Sequence, residues 1–293
     1  MAELKGTGVA IITPFTKSKS VDFDALGNLI EFLINGGVDY IVTLGTTGET
    51  PVLKKEEKRD VINYTVEKIN NRLPVVVGIG GNDTSAVVDE INQLPIDAAV
   101  AILSASPYYN KPSQEGIYQH YELIAKVSPK PILLYNVPAR TGRSMSVSTV
   151  LRLANEVSNI IGIKEASGDM IQCLDILRKK PSDFLVVSGD DDLALPQLAA
   201  GMDGVISVAA NAFPIQFSQL VNLCLNQDFQ SARKINNSIT DAYRLMFEEN
   251  NPAGIKAFLY EMGLIQNELR LPLVSVSSSL QERINQFVKK NML

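Results

Sequence analysis

The sequence predicts a (β/α)₈ barrel, an α/β fold of the TIM-barrel type, with a helical appendage at its C-terminal end. Short apolar runs recur roughly every 30 residues, and each is followed by a longer stretch with helical spacing, as in repeated βα units. Most of these runs are apolar throughout. That pattern is expected of strands covered by helices on one face and by the barrel interior on the other.

Eight such runs predict the strands, at residues 8–12, 40–44, 75–79, 98–103, 132–135, 160–164, 185–188 and 204–208. The helices predicted between them cover residues 24–35, 54–70, 84–92, 114–127, 146–156, 170–179 and 191–199. An open, doubly wound sheet is the alternative, but no G-x-G-x-x-G phosphate turn follows the first run. Eight strands with intervening helices favour closure.

Helical spacing continues after the last strand, in residues 216–225, 229–247, 253–262 and 278–290. No linker rich in Gly, Pro or Ser separates these segments from the barrel. We therefore expect a catalytic barrel in residues 1–226 and a helical subdomain in residues 227–293 that packs on it.

The composition and charge of the chain argue against several classes of function. The formal charge of −5 comes without a basic cluster that could follow phosphates, so we expect no nucleic-acid partner. Cys173 and Cys224 lack metal-ligand spacing and are interpreted as core thiols in a reducing compartment. No charged leader or long apolar run is present, so we expect a cytoplasmic protein without membrane contact. The single histidine, His120, is expected at a helix surface or edge.

Active sites of such barrels lie at the carboxyl ends of the strands. Three predicted strand ends carry polar residues, at 45–49 (GTTGE), 135–142 (YNVPARTG) and 162–168 (GIKEASG).

Lys164 is the most informative of these residues, because a lysine that ends an apolar strand cannot easily reach water. The two-residue period of a strand puts Gly162 on the same face, where we expect it to leave room for a small ligand. Burial among aliphatic side chains favours the neutral, nucleophilic amine that imine formation needs. The alternative is a structural lysine paired with a carboxylate such as Glu165.

Other strand-end residues suit a substrate with carboxylates. Tyr135, one strand from Lys164, has a hydroxyl that could transfer protons, or it is a core tyrosine. Thr46 and Thr47 offer N–H and hydroxyl groups to a carboxylate, or form only a tight turn. Arg140 could bind a second carboxylate, or it is a surface arginine.

The acidic run at 188–192 (SGDDD) is not interpreted as a metal site, because three consecutive side chains on a turn do not converge. A helix beginning there accommodates the acids.

Together the three strand ends resemble the dihydrodipicolinate synthase family, pyruvate-dependent class I aldolases of the N-acetylneuraminate lyase superfamily. Residues 107–116 (PYYNKPSQEG) and 188–191 (SGDD) also resemble that family, and the motifs occur in order along nearly the whole chain. The resemblance implies condensation of pyruvate with L-aspartate 4-semialdehyde to 4-hydroxy-tetrahydrodipicolinate, on the route to diaminopimelate and lysine. It implies no metal or organic cofactor.

The resemblance also assigns roles. Lys164 would form the imine and Tyr135 would transfer protons, with Thr46 and Tyr109 completing a relay to solvent. Substrate binding would fall to Thr47, Arg140, Ile206 and Gly189. Thr47 and the main chain near Ile206 would hold pyruvate, and Arg140 the semialdehyde carboxylate. In the family the equivalent of Tyr109 comes from a neighbouring subunit, so a homodimer or homotetramer is implied.

Some family members are inhibited by lysine through histidines and an acid near the positions of Lys55, Lys58 and Ala86. This chain keeps Tyr108 and Asn82 but has two added cations and lacks that carboxylate. We expect lysine to inhibit weakly or not at all.

Three other functions are considered. Another Schiff-base aldolase, such as N-acetylneuraminate lyase or a 2-keto-3-deoxy-sugar-acid aldolase, would need hydroxyl-reading groups where Arg140 stands. A non-catalytic binding protein would not need the complete reactive set. A metal-dependent aldolase is disfavoured by one histidine and no convergent ligands.

Overall fold

Eight parallel strands close into a barrel in the computed structural model, which describes residues 2–291. Each strand pairs with the next along the chain, and β8 returns to pair with β1. The strands are β1 Gly6–Ala10, β2 Tyr40–Thr43, β3 Val75–Gly78, β4 Ala101–Ala105, β5 Ile132–Asn136, β6 Ile160–Glu165, β7 Leu185–Ser188 and β8 Gly204–Ser207. The predicted fold is therefore confirmed.

Helices cover the outside of the barrel and extend beyond it. They are α1 Phe23–Asn35, α2 Lys55–Ile69, α3 Thr84–Gln93, α4 Gln114–Val127, α5 Pro138–Thr141, α6 Val147–Glu156, α7 Met170–Lys179, α8 Ala194–Ala199, α9 Pro214–Leu225, α10 Phe229–Phe247, α11 Ala253–Glu261 and α12 Ser278–Asn291. Many begin at a side chain that accepts first-turn N–H groups, as Asp22, Asp83, Ser113, Ser146, Asp169 and Asp228 do.

Two predicted strands are displaced. The structure has β1 at Gly6–Ala10, where residues 8–12 were predicted, and β4 at Ala101–Ala105, where 98–103 were predicted. Both displacements arise because the strands were predicted from apolar residues. Ile11 and Ile12 are apolar and buried but lie just beyond β1, whereas Ser104 is polar and yet pairs within β4. The predicted helix at 191–199 begins as a 3₁₀ turn, Asp191–Leu193, that leads into α8.

His120 corrects another expectation. It is only 4% exposed, and its Nδ1 lies 2.9 Å from the Thr84 hydroxyl at the start of α3. Burial lowers the pKa of His120 to about 4. The helical spacing did not reveal that α3 covers this face of α4. The interpretation of Cys173 and Cys224 as core thiols is confirmed, since both are free and buried.

The apolar residues form two cores. One fills the barrel interior and includes Tyr40, Val76 and Leu133. The other lies between the strands and the helices, and it continues into the C-terminal helices through Tyr243 and Phe258. The C-terminal helices thus share a core with the barrel wall. The domain boundary after residue 226 stays a prediction.

An ion pair that is fully buried fastens α11 to the end of β2. Lys256 Nζ lies 2.5 Å from Glu49 Oε1, and both side chains are 0% exposed. The ammonium also donates to the Glu268 carbonyl at 3.0 Å and faces the Phe15 ring at 4.2 Å. Burial lowers the pKa of Lys256 to about 8, against the attraction of Glu49, which raises it.

A second attachment lies close by and is more exposed. Arg270 forms two hydrogen bonds with Glu57 of α2, at 2.7 and 2.5 Å. Its guanidinium also donates to the carbonyls of Lys19 and Val52. The segment from α11 to Arg270 is therefore held to the barrel at two neighbouring points.

Across residues 2–291, every helix is too short or too polar to cross a lipid bilayer.

Replacing Lys256 with Met should lower the free energy of unfolding by about 3–5 kcal/mol, because it leaves the Glu49 carboxylate buried without a counter-charge. Urea denaturation followed by circular dichroism measures this. The double variant Glu49→Gln/Lys256→Met is the control and should recover most of the loss. A single variant as stable as the parent would contradict the prediction.

Candidate active site

A cavity of about 660 Å³ opens at the carboxyl ends of the strands. Its lining includes the buried residues Tyr135 and Asn251, the partly buried Thr46, and the exposed residues Arg140 and Tyr108. The predicted location of the site at this end of the barrel agrees with that placement.

Lys164 points into the barrel from β6 and is 4% exposed. It pairs in register with Tyr135 of β5, and its Nζ lies 4.3 Å from the centre of the Tyr135 ring. Lys164 does not itself line the cavity, but Tyr135 does. Among residues 2–291, no carboxylate oxygen lies within 4.0 Å of its Nζ. The lysine is therefore buried, next to an aromatic ring and free of an ion pair.

Glu165 does not pair with Lys164, which answers the structural alternative. Its carboxylate lies on the other face of β6 and accepts from Asn136 Nδ2 at 3.0 Å, Gln172 Nε2 at 3.0 Å and the Ser167 main-chain N–H at 2.8 Å. These donors satisfy a fully buried carboxylate and fix the end of β6 against β5. Asn136 also accepts from the Met145 N–H, so the network orders the loop after α5.

The expectation about Gly162 is wrong. A Cβ there would lie 2.5 Å from the Leu185 carbonyl and 2.9 Å from the Leu133 side chain, so the space beside it is filled. Gly189, after β7, is the glycine that leaves room for the lysine. A Cβ on Gly189 would lie 2.8 Å from Lys164 Cε. Gly162 allows β6 and β7 to pack closely, and Gly189 leaves the space that the Lys164 side chain occupies.

Two acids lie near the lysine. Burial raises the pKa of Asp190 to about 6, and the nearby charge of Lys164 acts in the opposite direction. Burial likewise raises the pKa of Asp191 to about 6, against hydrogen bonds that favour the charged form. Asp191 Oδ2 accepts from the N–H groups of Val208 and Ala209, at 3.1 and 2.8 Å. Asp191 therefore fixes the loop that follows β8.

Ile206 lies within β8, fully buried in the barrel interior, two residues before this loop. Neither Ile206 nor Gly189 lines the cavity, but Gly189 lies directly beside the Lys164 side chain.

Thr46 and Thr47 form a 3₁₀ turn after β2, Thr46–Gly48. Thr46 lines the cavity, and Thr47 is 1% exposed. The turn is held from two sides, since Thr13 Oγ1 donates to the Gly48 carbonyl at 2.7 Å and Asn251 Nδ2 donates to Thr47 Oγ1 at 3.1 Å.

Arg140 lies in the short helix α5, exposed at the cavity wall. Its Nη2 donates to Asn250 Oδ1 at 3.2 Å and to the Asn251 carbonyl at 3.3 Å. Sequence reasoning missed both asparagines. The only signal was that the family resemblance runs along nearly the whole chain. One dipeptide therefore touches both the Thr47 turn and Arg140.

Tyr109 is a predicted site residue that does not line the cavity. It is 87% exposed and has a left-handed backbone, φ 71°, at the tip of the loop before α4. Its neighbour Tyr108 lines the outer cavity.

The outer cavity also holds an ion pair. Lys58 Nζ lies 2.6 Å from Glu90 Oε1, and both side chains are mostly buried. Asn82 and Ala86 line the same part of the cavity. Glu90, one helical turn after Ala86, is an acid that sequence reasoning did not consider, and Lys58 already neutralises it.

Comparisons with known proteins agree with this geometry. The model of the dihydrodipicolinate synthetase family matches residues 3–291. The 4-hydroxy-tetrahydrodipicolinate synthase of Parabacteroides distasonis is 50% identical over 287 residues, covering 98% of this chain and 97% of that protein. The dihydrodipicolinate synthase of Acinetobacter baumannii, solved in complex with pyruvate, has a TM-score of 0.95 and 39% identity over 98% of this chain and 99% of that one. The enzyme of Cyanidioschyzon merolae, solved with lysine bound, has a TM-score of 0.94 and 31% identity over 98% of each chain. The chain belongs to the dihydrodipicolinate synthetase family.

Proposed function

We propose that the chain joins pyruvate to L-aspartate 4-semialdehyde through an imine on Lys164. The activity is that of the family, a 4-hydroxy-tetrahydrodipicolinate synthase, which is a carbon–carbon bond-forming lyase of lysine biosynthesis. The observation that carries the residue assignment is the buried Lys164 amine, which has no carboxylate within 4.0 Å among residues 2–291 and faces Tyr135.

The imine supplies the chemistry. Lys164 Nζ attacks the ketone carbon of pyruvate, and loss of water gives the protonated imine. This cation accepts electrons when a methyl proton leaves, so an enamine forms. The enamine carbon adds to the aldehyde of the second substrate. The amino group of that substrate then closes the ring at the imine carbon and releases Lys164.

Proton transfer falls to Tyr135, with Thr46 and Tyr109 as a relay to solvent. The 4.3 Å distance from Lys164 Nζ to the Tyr135 ring supports the first of these roles, because it puts the ring beside the reacting nitrogen. Tyr109 would enter the site of a neighbouring subunit. Its 87% exposure is consistent with burial by a second copy, and a homodimer or homotetramer follows from this role.

The two substrate carboxylates would bind at separate places. Pyruvate would lie between Thr47, Gly189 and the main chain near Ile206, close to Lys164. The relative from Acinetobacter baumannii supports this substrate, since it was solved with pyruvate. Arg140, at the cavity wall, would hold the carboxylate of the semialdehyde with its forked donors. A sugar-acid substrate would instead meet a guanidinium where it carries hydroxyl groups.

Treatment with pyruvate and borohydride should trap a covalent adduct on Lys164. Mass spectrometry of the intact chain should show a gain equal to pyruvic acid less one oxygen atom, and peptide mapping should locate it. The Lys164→Ala variant should show no adduct and almost no turnover. An adduct on another lysine, or full turnover of Lys164→Ala, would overturn the proposal.

Replacing Arg140 with Ala should lower kcat/KM for the semialdehyde roughly 10- to 100-fold, as expected for loss of a charged hydrogen bond worth about 1.5–3 kcal/mol. The KM for pyruvate should stay within about twofold. Arg152→Ala is the control, because Arg152 lies outside the cavity and pairs with Glu115 and Glu156. Equal losses for both substrates would contradict the assignment.

Lysine should inhibit the purified enzyme weakly or not at all. Glu90 is already paired with Lys58, so an incoming ammonium group finds no free carboxylate there. The Lys58→Met variant releases Glu90 and should bind lysine more tightly than the parent. Initial rates and calorimetry with lysine measure this. Strong inhibition of the parent enzyme at millimolar lysine or below would refute the prediction.

A further inference from the structure

The turn that carries Thr46 and Thr47 ends in a strained residue. Glu49 has a left-handed backbone, φ 55°, which residues other than glycine adopt only at a cost in free energy. Its N–H donates to the Thr46 carbonyl at 3.2 Å and closes the turn. Such a conformation persists only where the surroundings hold it in place. The contacts of the Glu49 side chain identify the groups that hold it.

Both carboxylate oxygens of Glu49 are engaged by the C-terminal segment. Oε1 accepts from Lys256 Nζ at 2.5 Å, and Oε2 accepts from the Arg270 main-chain N–H at 3.1 Å. Neither side chain of the pair is exposed. A gain in stability does not by itself account for such a pair, because the cost of removing two charges from water commonly offsets their attraction. A role in placing the turn would account for it.

The same segment reaches the turn a second time. Asn251, 4% exposed and just before α11, donates from Nδ2 to Thr47 Oγ1. Lys256 lies in the first turns of α11. The beginning of one helix therefore contacts residue 47 and residue 49, on either side of Gly48.

We infer that the buried Glu49–Lys256 ion pair positions the Thr46–Thr47 turn for pyruvate. The inference rests on the proposed function, in which Thr47 binds the pyruvate carboxylate and Thr46 belongs to the proton relay. Glu49 and Lys256 touch no reacting atom and act through the turn. The C-terminal segment is thereby a working part of the active site.

Three variants test this: Glu49→Gln, Lys256→Met and the two combined. Kinetics with pyruvate, borohydride trapping and the urea midpoint are measured on each. Each single variant should lower kcat/KM for pyruvate about 100-fold, the scale expected when a binding group shifts by about 1 Å. The double variant should regain the urea midpoint but keep the lowered kcat/KM for pyruvate. A purely structural pair would instead recover stability and activity together.

Glu57→Gln is the matched control. It removes the Arg270 side-chain ion pair that fastens the same segment, and Glu57 itself forms no hydrogen bond with residues 46–49, so it should lower the urea midpoint and leave kcat/KM for pyruvate unchanged. Glu49→Asp keeps the charge and withdraws the carboxylate, and it decides the matter if the neutral variants do not fold. Parental kinetics in Glu49→Asp or in the double variant would overturn the inference. Absence of a pyruvate adduct in the parent would overturn the proposed function instead.

Discussion

The proposed chemistry depends on keeping one amine inside the barrel mouth without a carboxylate partner. Closure of the sheet supplies the constraint, because the side chains of every strand must alternate between the interior and the helices. In β6 this alternation sends Lys164 inward and Glu165 outward. Adjacent residues of opposite charge are thus kept apart by the backbone.

The Glu165 carboxylate, on the outer face of β6, has a structural role. Glu165 collects donors from Asn136, Gln172 and Ser167, which join β5, β6 and α7 beneath the site. Its burial is tolerated because each oxygen is hydrogen-bonded. On the inner face, Gly189 yields the space that the lysine chain occupies. In the proposed mechanism Glu165 touches no substrate, whereas Gly189 lies beside both pyruvate and the lysine.

The fold could be predicted, and candidate site residues could be located at the strand ends, because these signals are local. Apolar runs mark the strands, and polar residues at the strand ends mark Lys164, Tyr135, Thr46 and Thr47. Features that depend on a facing element could not. Gly162 was misread because the Leu185 carbonyl that fills its space belongs to another strand, and the burial of His120 required knowledge of how α3 packs. Asn251 and Lys256 lie more than two hundred positions from their partners Thr47 and Glu49, with separations of 204 and 207 residues, beyond the reach of any local pattern.

That separation determines when, during synthesis, the partners of Thr47 and Glu49 become available. All eight strands have been synthesised at Ser207, yet Asn251 and Lys256 are still to come. At about 5–20 residues per second, the ribosome delivers Lys256 on the order of 10–40 s after Glu49. Throughout that interval the Glu49 carboxylate has no counter-charge from Lys256. The proposed pyruvate site can therefore be complete only after Asn251 and Lys256 have been made, which is later than the synthesis of the last barrel strand.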